Sequence, residues 1–195
     1  MEKGIKFNSV WKKTKPFPQQ KVEKLIAARQ RLYRAGFIYG QQGIGHGNIS
    51  MGTRAGFLIT GSGTGILPRL SGQHFSLVEK VDIRKNRVHC SGPVQASSEA
   101  MTHFAIYQSD PRARCVIHIH SPTMWKQWYG ALPTTTKKAK YGTVELAKSV
   151  LRLLSKKGVR QTRAFVLGGH RPGLFIYGTS IVQAEKTLKA LQRPL

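Results

Sequence analysis

The chain has 195 residues, 32 Lys and Arg against 8 Asp and Glu, and a formal charge of +24. Its 40% hydrophobic and 9% aromatic content is enough for a packed core and excludes a disordered basic tail. It has no apolar run of about 18 residues, no continuous apolar segment near the start, and two cysteines in unrelated contexts, Cys90 and Cys115, so a cytoplasmic protein without membrane spans or a disulfide framework is expected.

Residues 1–18 are basic and punctuated by Pro16 and Pro18, which predicts an arm or loop. We divide the chain into a basic N-terminal arm over 1–20 and a single domain over 21–195. From Lys21 the apolar residues Val22, Leu25, Ile26, Leu32 and Tyr33 recur at helical spacing, with Gly36 placed to end the helix. Residues 40–52, GQQGIGHGNISMG, are too rich in glycine for a helix interior and predict a loop leading into a strand. Gly56–Thr60 reads as a strand ending in the turn 61–65. A hairpin is predicted over 74–81 and 86–90, turning through Arg84, Lys85 and Asn86. Residues 97–109 predict a helix with Ser97 and Ser98 as candidate caps. Arg114–His120 alternates with period two, the mark of a strand. Thr143 opens a helix along Val144, Ala147, Val150, Leu151 and Leu154, with Gly158 at its end. Two strands over 164–167 and 173–177 follow. Ser180 to Gln183 fits a capping box before a last helix carrying Ala184, Leu188 and Leu191. Strands mixed with helices predict a layered α/β domain.

The charge is spread out. Ten Lys and Arg fall in residues 1–34 and nine in 137–163, with no zinc-finger spacing, RNP-like signature or interleaved aromatic motif. A generally basic solvated surface explains this better than a dedicated nucleic-acid site, and an anionic metabolite fits either case.

Three groups of residues carry chemistry. In Cys115-Val116-Ile117-His118-Ile119-His120 the two histidines project from one side of a strand, with backbones roughly 7 Å apart, while Cys115, Ile117 and Ile119 are expected to face the core. Such rings can converge on one cation, or can simply be buried and hydrogen-bonded. His170, in a loop directly after a strand, could complete a three-imidazole set with an open coordination position, the catalytic form of a zinc site, or be an ordinary loop histidine. Ser97-Ser98-Glu99 at a helix start could hold an anion and supply a general base, or be plain capping chemistry. The glycine-rich segments 46–50 and 60–63 could cradle a phosphate or be turns; neither is a dinucleotide fingerprint or P-loop.

Taken in order, these segments resemble the class II aldolase/adducin family over about Val22 to Leu191. The landmarks are Gly47-Asn48-Ile49-Ser50, Leu58 to Gly63, Ala96-Ser97-Ser98-Glu99, Val116 to Pro122, Tyr141 to Ala147, and Gly169-His170 before Gly173 to Gly178. The resemblance implies an α/β/α three-layer sandwich around a mixed, mainly antiparallel sheet, and a homotetramer. It implies one Zn2+ per subunit on His118, His120 and His170. It implies a substrate phosphate held by Asn48, Ser62, Gly63, Ser97 and Ser98, with Glu99 as acid/base. The activity implied is a zinc-dependent lyase cleaving or forming a C–C bond of a small phosphorylated ketose through a metal-stabilised enediolate. A dehydratase or epimerase on the same site is the alternative, and a non-catalytic adducin-like or basic binding module is a third reading.

The chain departs from the family pattern at several points. His46 stands where Ala or Ser is usual, Gly61 and Ala96 replace prolines, and Arg171-Pro172 lies between His170 and Gly173. The segment between Pro122 and Gly142 is short. The chain stops soon after the last helix, so the tail that supplies a catalytic tyrosine in the sugar-phosphate aldolases is expected to be missing, with Tyr129 and Tyr141 as candidates to replace it.

Overall fold

A computed structural model describes residues 4–193. In chain order the elements are β1 (Asn8–Lys13), α1 (Gln19–Arg34), β2 (Tyr39–Gln41), β3 (Ile44–His46), β4 (Asn48–Thr53), β5 (Gly56–Thr60), β6 (Phe75–Asp82), β7 (Arg87–Gly92), α2 (Ala100–Ser109), β8 (Cys115–His120), α3 (Pro122–Trp128), α4 (Val144–Ser155), α5 (Val159–Thr162), β9 (Ala164–Val166), β10 (Gly173–Gly178) and α6 (Ile181–Leu191). Eight strands form one sheet in the order β1-β7-β6-β5-β4-β8-β10-β9. Among the described strands of this sheet, β1 and β7 run parallel and the other neighbouring pairs run antiparallel.

Helices cover both faces. Ala100, Met101 and Ala105 of α2 and Leu146, Ala147 and Val150 of α4 pack into one core with Val116, Phe165 and Phe175 of the sheet. On the other face, Val22, Leu25, Ala28 and Leu32 of α1, with Ala184 and Leu188 of α6, pack on Ile49, Ile117, Ile119 and Ile176. The α1 residues recur at three- and four-residue steps, which is why one stripe of that helix is buried. The result is the expected three-layer sandwich with a mainly antiparallel sheet.

β8 lies inside the sheet, and all six of its residues are buried. Its alternation therefore separates two covered faces rather than core from solvent: Cys115, Ile117 and Ile119 enter one core, and His118 and His120 face the other side. Strands buried on both faces read as near-continuous apolar runs, so the two histidines are conspicuous.

Several expectations needed correction. Asn8–Lys13, predicted as arm or loop, is the edge strand β1; an edge needs few apolar residues, and Trp11 anchors it through an indole N–H to Gly92 O bond of 2.9 Å. The predicted loop over 40–52 contains the β2–β3 ribbon, with a tight turn at Gln42 and Gly43, both at positive φ. α2 begins at Ala100 because Ser97 closes a turn, its hydroxyl accepting from Glu99 N. α3 was not foreseen, although Ser121 caps it by accepting from Met124 N and Pro122 opens it. α4 ends at Ser155, and Gly158 leads into the short α5. The capping box before α6 is half formed: Ser180 accepts from Gln183 N, but the Gln183 side chain accepts from Thr179.

Candidate metal centre and anion pocket

His118 lies between Asn48 on β4 and Phe175 on β10, its partners across the ladder. Its ring stacks on Phe175 at a centroid distance of 4.4 Å. His120 is two positions on, and His170 returns from the loop between β9 and β10. Gly173 makes this approach feasible, since a Cβ there would meet His118 Cε1 at 2.9 Å and His170 O at 2.9 Å. The three rings meet with centroids 4.8–5.7 Å apart, and one nitrogen from each lies within 4.8 Å of the others.

These residues fit a cation. His118 Nδ1–H donates to Leu174 O at 3.0 Å, which leaves its Nε2 bare and turned toward the cluster. That Nε2 lies 3.1 Å from His120 Nε2. A tetrahedral ion with bonds of about 2.0–2.1 Å spaces its ligand nitrogens about 3.3 Å apart, close to the observed separation. Burial holds His118 and His120 far below the ordinary imidazole pKa and takes His170 down to about 4. All three are neutral at pH 7, the form that binds metal.

Glu99 is 3% exposed. Its Oε2 accepts from the Thr102 hydroxyl at 2.7 Å. Its Oε1 is buried without a hydrogen bond and points at His170 Nε2, 4.0 Å away. Desolvation raises its pKa to about 7, against the weaker effect of the Thr102 hydroxyl. A carboxyl half-protonated near neutrality, with one oxygen uncommitted, can both take and give a proton.

The remaining predicted residues, Asn48, Ser62, Gly63, Ser97 and Ser98, line the same cavity of about 590 Å³ as the histidines and Glu99. The backbone N–H of Ser62 is spent on Gln95 O at 2.9 Å, so what Ser62 can offer a ligand is its hydroxyl. Gly63 has a φ of +77°, and a Cβ there would meet nothing within 4 Å, so its backbone is open to the cavity. Beneath this turn lies Arg29, 1% exposed, which donates to Thr64 O at 3.0 Å and Gly65 O at 3.1 Å.

Other residues enter the cavity without having been assigned a place there. His46, unusual in its motif, lines the cavity, stacks on Tyr39 at 5.0 Å and lies 4.9 Å from the His120 ring. Of the two tyrosine candidates, Tyr141 lines the cavity with its ring 5.1 Å from His170, whereas Tyr129 lines a separate cleft. Gly4, Lys140 and Arg171 complete the rim. The N-terminal segment gave no sequence signal of this, because nothing local ties Gly4 to a loop well over a hundred residues away.

Comparison with known proteins gives this fold its relatives. Residues 23–194 match the family model described as the class II aldolase and adducin N-terminal domain. A methylthioribulose-1-phosphate dehydratase from Pseudoalteromonas translucida is 35% identical over 75 residues, 38% of this chain and 33% of that protein. The likeness thus spans about a third of that relative's length. Among solved structures, YgbL from Klebsiella pneumoniae superposes with a TM-score of 0.66 at 20% identity, over 90% of this chain and 87% of that one. An L-fuculose-1-phosphate aldolase from Thermus thermophilus superposes with a TM-score of 0.61 at 25% identity, again over 90% and 87%.

Proposed function

The chain belongs to the class II aldolase and adducin family, and from that premise we propose that it is a zinc-dependent lyase that makes or breaks a C–C bond in a small phosphorylated ketose. One observation carries the reading: three neutral histidine nitrogens within 4.8 Å of one another share a cavity with a buried, uncommitted carboxylate oxygen. His118, His120 and His170 hold the ion, and Leu174 O orients the first of them. When bound, zinc supplies a Lewis acid that stabilises negative charge building on adjacent carbonyl and hydroxyl oxygens of the substrate. Glu99 moves the proton at the reacting carbon through Oε1, while Thr102 keeps Oε2 in place. Asn48 and the hydroxyls of Ser62, Ser97 and Ser98, with the open backbone at Gly63, hold the distant phosphate. Binding energy gained there fixes the reacting end. A homotetramer is part of the same reading.

A second reaction on the same residues is supported by the dehydratase relative: loss of water from a sugar phosphate asks for the same base and the same ion. The first test is metal analysis of protein purified without chelator. About one zinc per chain is expected, and its loss in His118→Ala; protein free of metal would overturn the reading. Product analysis on a panel of ketose phosphates then separates the reactions. Two carbonyl fragments mark the lyase, and a single product lighter by one water marks the dehydratase.

A further inference from the structure

His103 takes no part in the chemistry above, yet it is fully buried in the middle of α2, between the rings of Phe57 and Phe175. A polar ring in such a place has to find partners for both nitrogens. Its Nε2 meets Asn48 Oδ1, and its Nδ1 lies 2.7 Å from Ser50 Oγ. Ser50 Oγ in turn lies 2.8 Å from the Tyr107 hydroxyl. Asn48 and Ser50 are two apart on β4, so both reach the same side of the sheet.

The protons in this chain can be placed one by one. Desolvation takes the His103 pKa down to about 3, so the ring is neutral and carries one N–H. Asn48 Oδ1 only accepts, which assigns that hydrogen to Nε2. Nδ1 is then bare and accepts from the Ser50 hydroxyl, and Ser50 Oγ accepts from Tyr107. Each hydrogen is used once and no acceptor faces an acceptor.

We propose that His103 is a positioning residue that turns the Asn48 amide, so that its NH2 and not its oxygen faces the cavity. Asn48 lines that cavity beside His118. Held this way it offers two donors and no acceptor. It therefore selects a substrate group that only accepts at that point, a phosphate or carboxylate oxygen, over a hydroxyl that must donate. With the amide turned round, Oδ1 would repel the same anion. The inference rests on the proposed anion subsite, and its test separates the two.

Inorganic phosphate is the probe, titrated calorimetrically into the full-length protein as purified. Asn48→Ala is expected to weaken phosphate binding roughly tenfold, as does loss of a hydrogen bond to a charged group. His103→Phe is expected to weaken it to the same extent with metal content unchanged, and the double variant to be no weaker than either single one. His103→Gln, whose amide can still donate to Asn48 Oδ1, is expected to stay within about threefold of the parent. Where Asn48→Ala weakens binding, unchanged affinity in a folded His103→Phe, or losses that multiply in the double variant, would overturn the proposal. The 15N shifts of the His103 ring give a readout independent of phosphate. The Nε2–H tautomer is expected, and the Nδ1–H tautomer overturns the proposal whatever the titrations show. If Asn48→Ala leaves phosphate binding unchanged while the tautomer is Nε2–H, the anion subsite fails and the amide orientation stands.

Discussion

Glu99 is the side chain whose loss separates chemistry from binding. Glu99→Gln keeps the shape and an oxygen for the Thr102 hydroxyl but cannot carry a proton. In the proposed reaction kcat is expected to fall about 10²- to 10⁴-fold with zinc content and KM little changed, as steady-state kinetics beside metal analysis would show. A retained kcat would remove Glu99 from the mechanism. His103 makes a prediction about pH. Its folded pKa, about 3, lies below the ordinary 6.5, so as the pH drops below 6.5 the unfolded chain gains a proton that the folded one refuses. Its contribution is therefore present above pH 6.5 and lost progressively toward pH 3, by about 1.4 kcal/mol per pH unit. Urea unfolding of metal-free protein at pH 7 and pH 5 is expected to show a steeper loss for the parent than for His103→Gln. Equal slopes would mean that the ring is charged in the folded state.

At the scale of elements, the turn after β5 is tied to α1 through Arg29. Its guanidinium has only carbonyl partners among the hydrogen bonds described, at Thr64, Gly65 and Pro68, and desolvation lowers its pKa. Arg29→Ala is expected to destabilise the fold by about 3 kcal/mol, since it strands buried carbonyls and opens a cavity. Thermal unfolding would measure this, and a cost below about 1 kcal/mol would show that the turn stands without its tie. No local pattern announces such a role, because an arginine within a basic helix reads as solvated. The elements legible in the sequence were those written in short-range order: the stripe of α1, the β6–β7 hairpin, the alternation of β8, and α4 behind its Thr143 cap. Of the others, β1 and the β2–β3 ribbon acquire their identity from a distant partner or a glycine turn, whereas α3 is a short helix whose local signal is confined to Ser121 and Pro122. The same distinction holds in the cavity. His118, His120 and Glu99 stand in compact motifs, whereas His103 looks like helix filler until β4 is laid beside it.

The whole molecule carries its +24 charge on a compact body, with pairs such as Arg31–Glu185, at 2.9 Å, lying at the surface. Like charges repel more strongly when folded together than when spread along an open chain, and salt screens that repulsion. The melting temperature is accordingly expected to rise by a few degrees between about 20 and 200 mM NaCl; a fall would show that attractive pairs outweigh the excess. No helix among the described residues is long and apolar enough to cross a membrane.

β1 runs along the far edge of the sheet, yet Gly4, just ahead of it, lines the cavity, and the Lys6 ammonium sits 3.9 Å over the Tyr141 ring. Anything fused upstream would emerge beside the cavity that Gly4 lines. An affinity handle is better attached after the exposed Arg193, and proteolytic trimming of a leading tag should lower KM where trimming a trailing one does nothing.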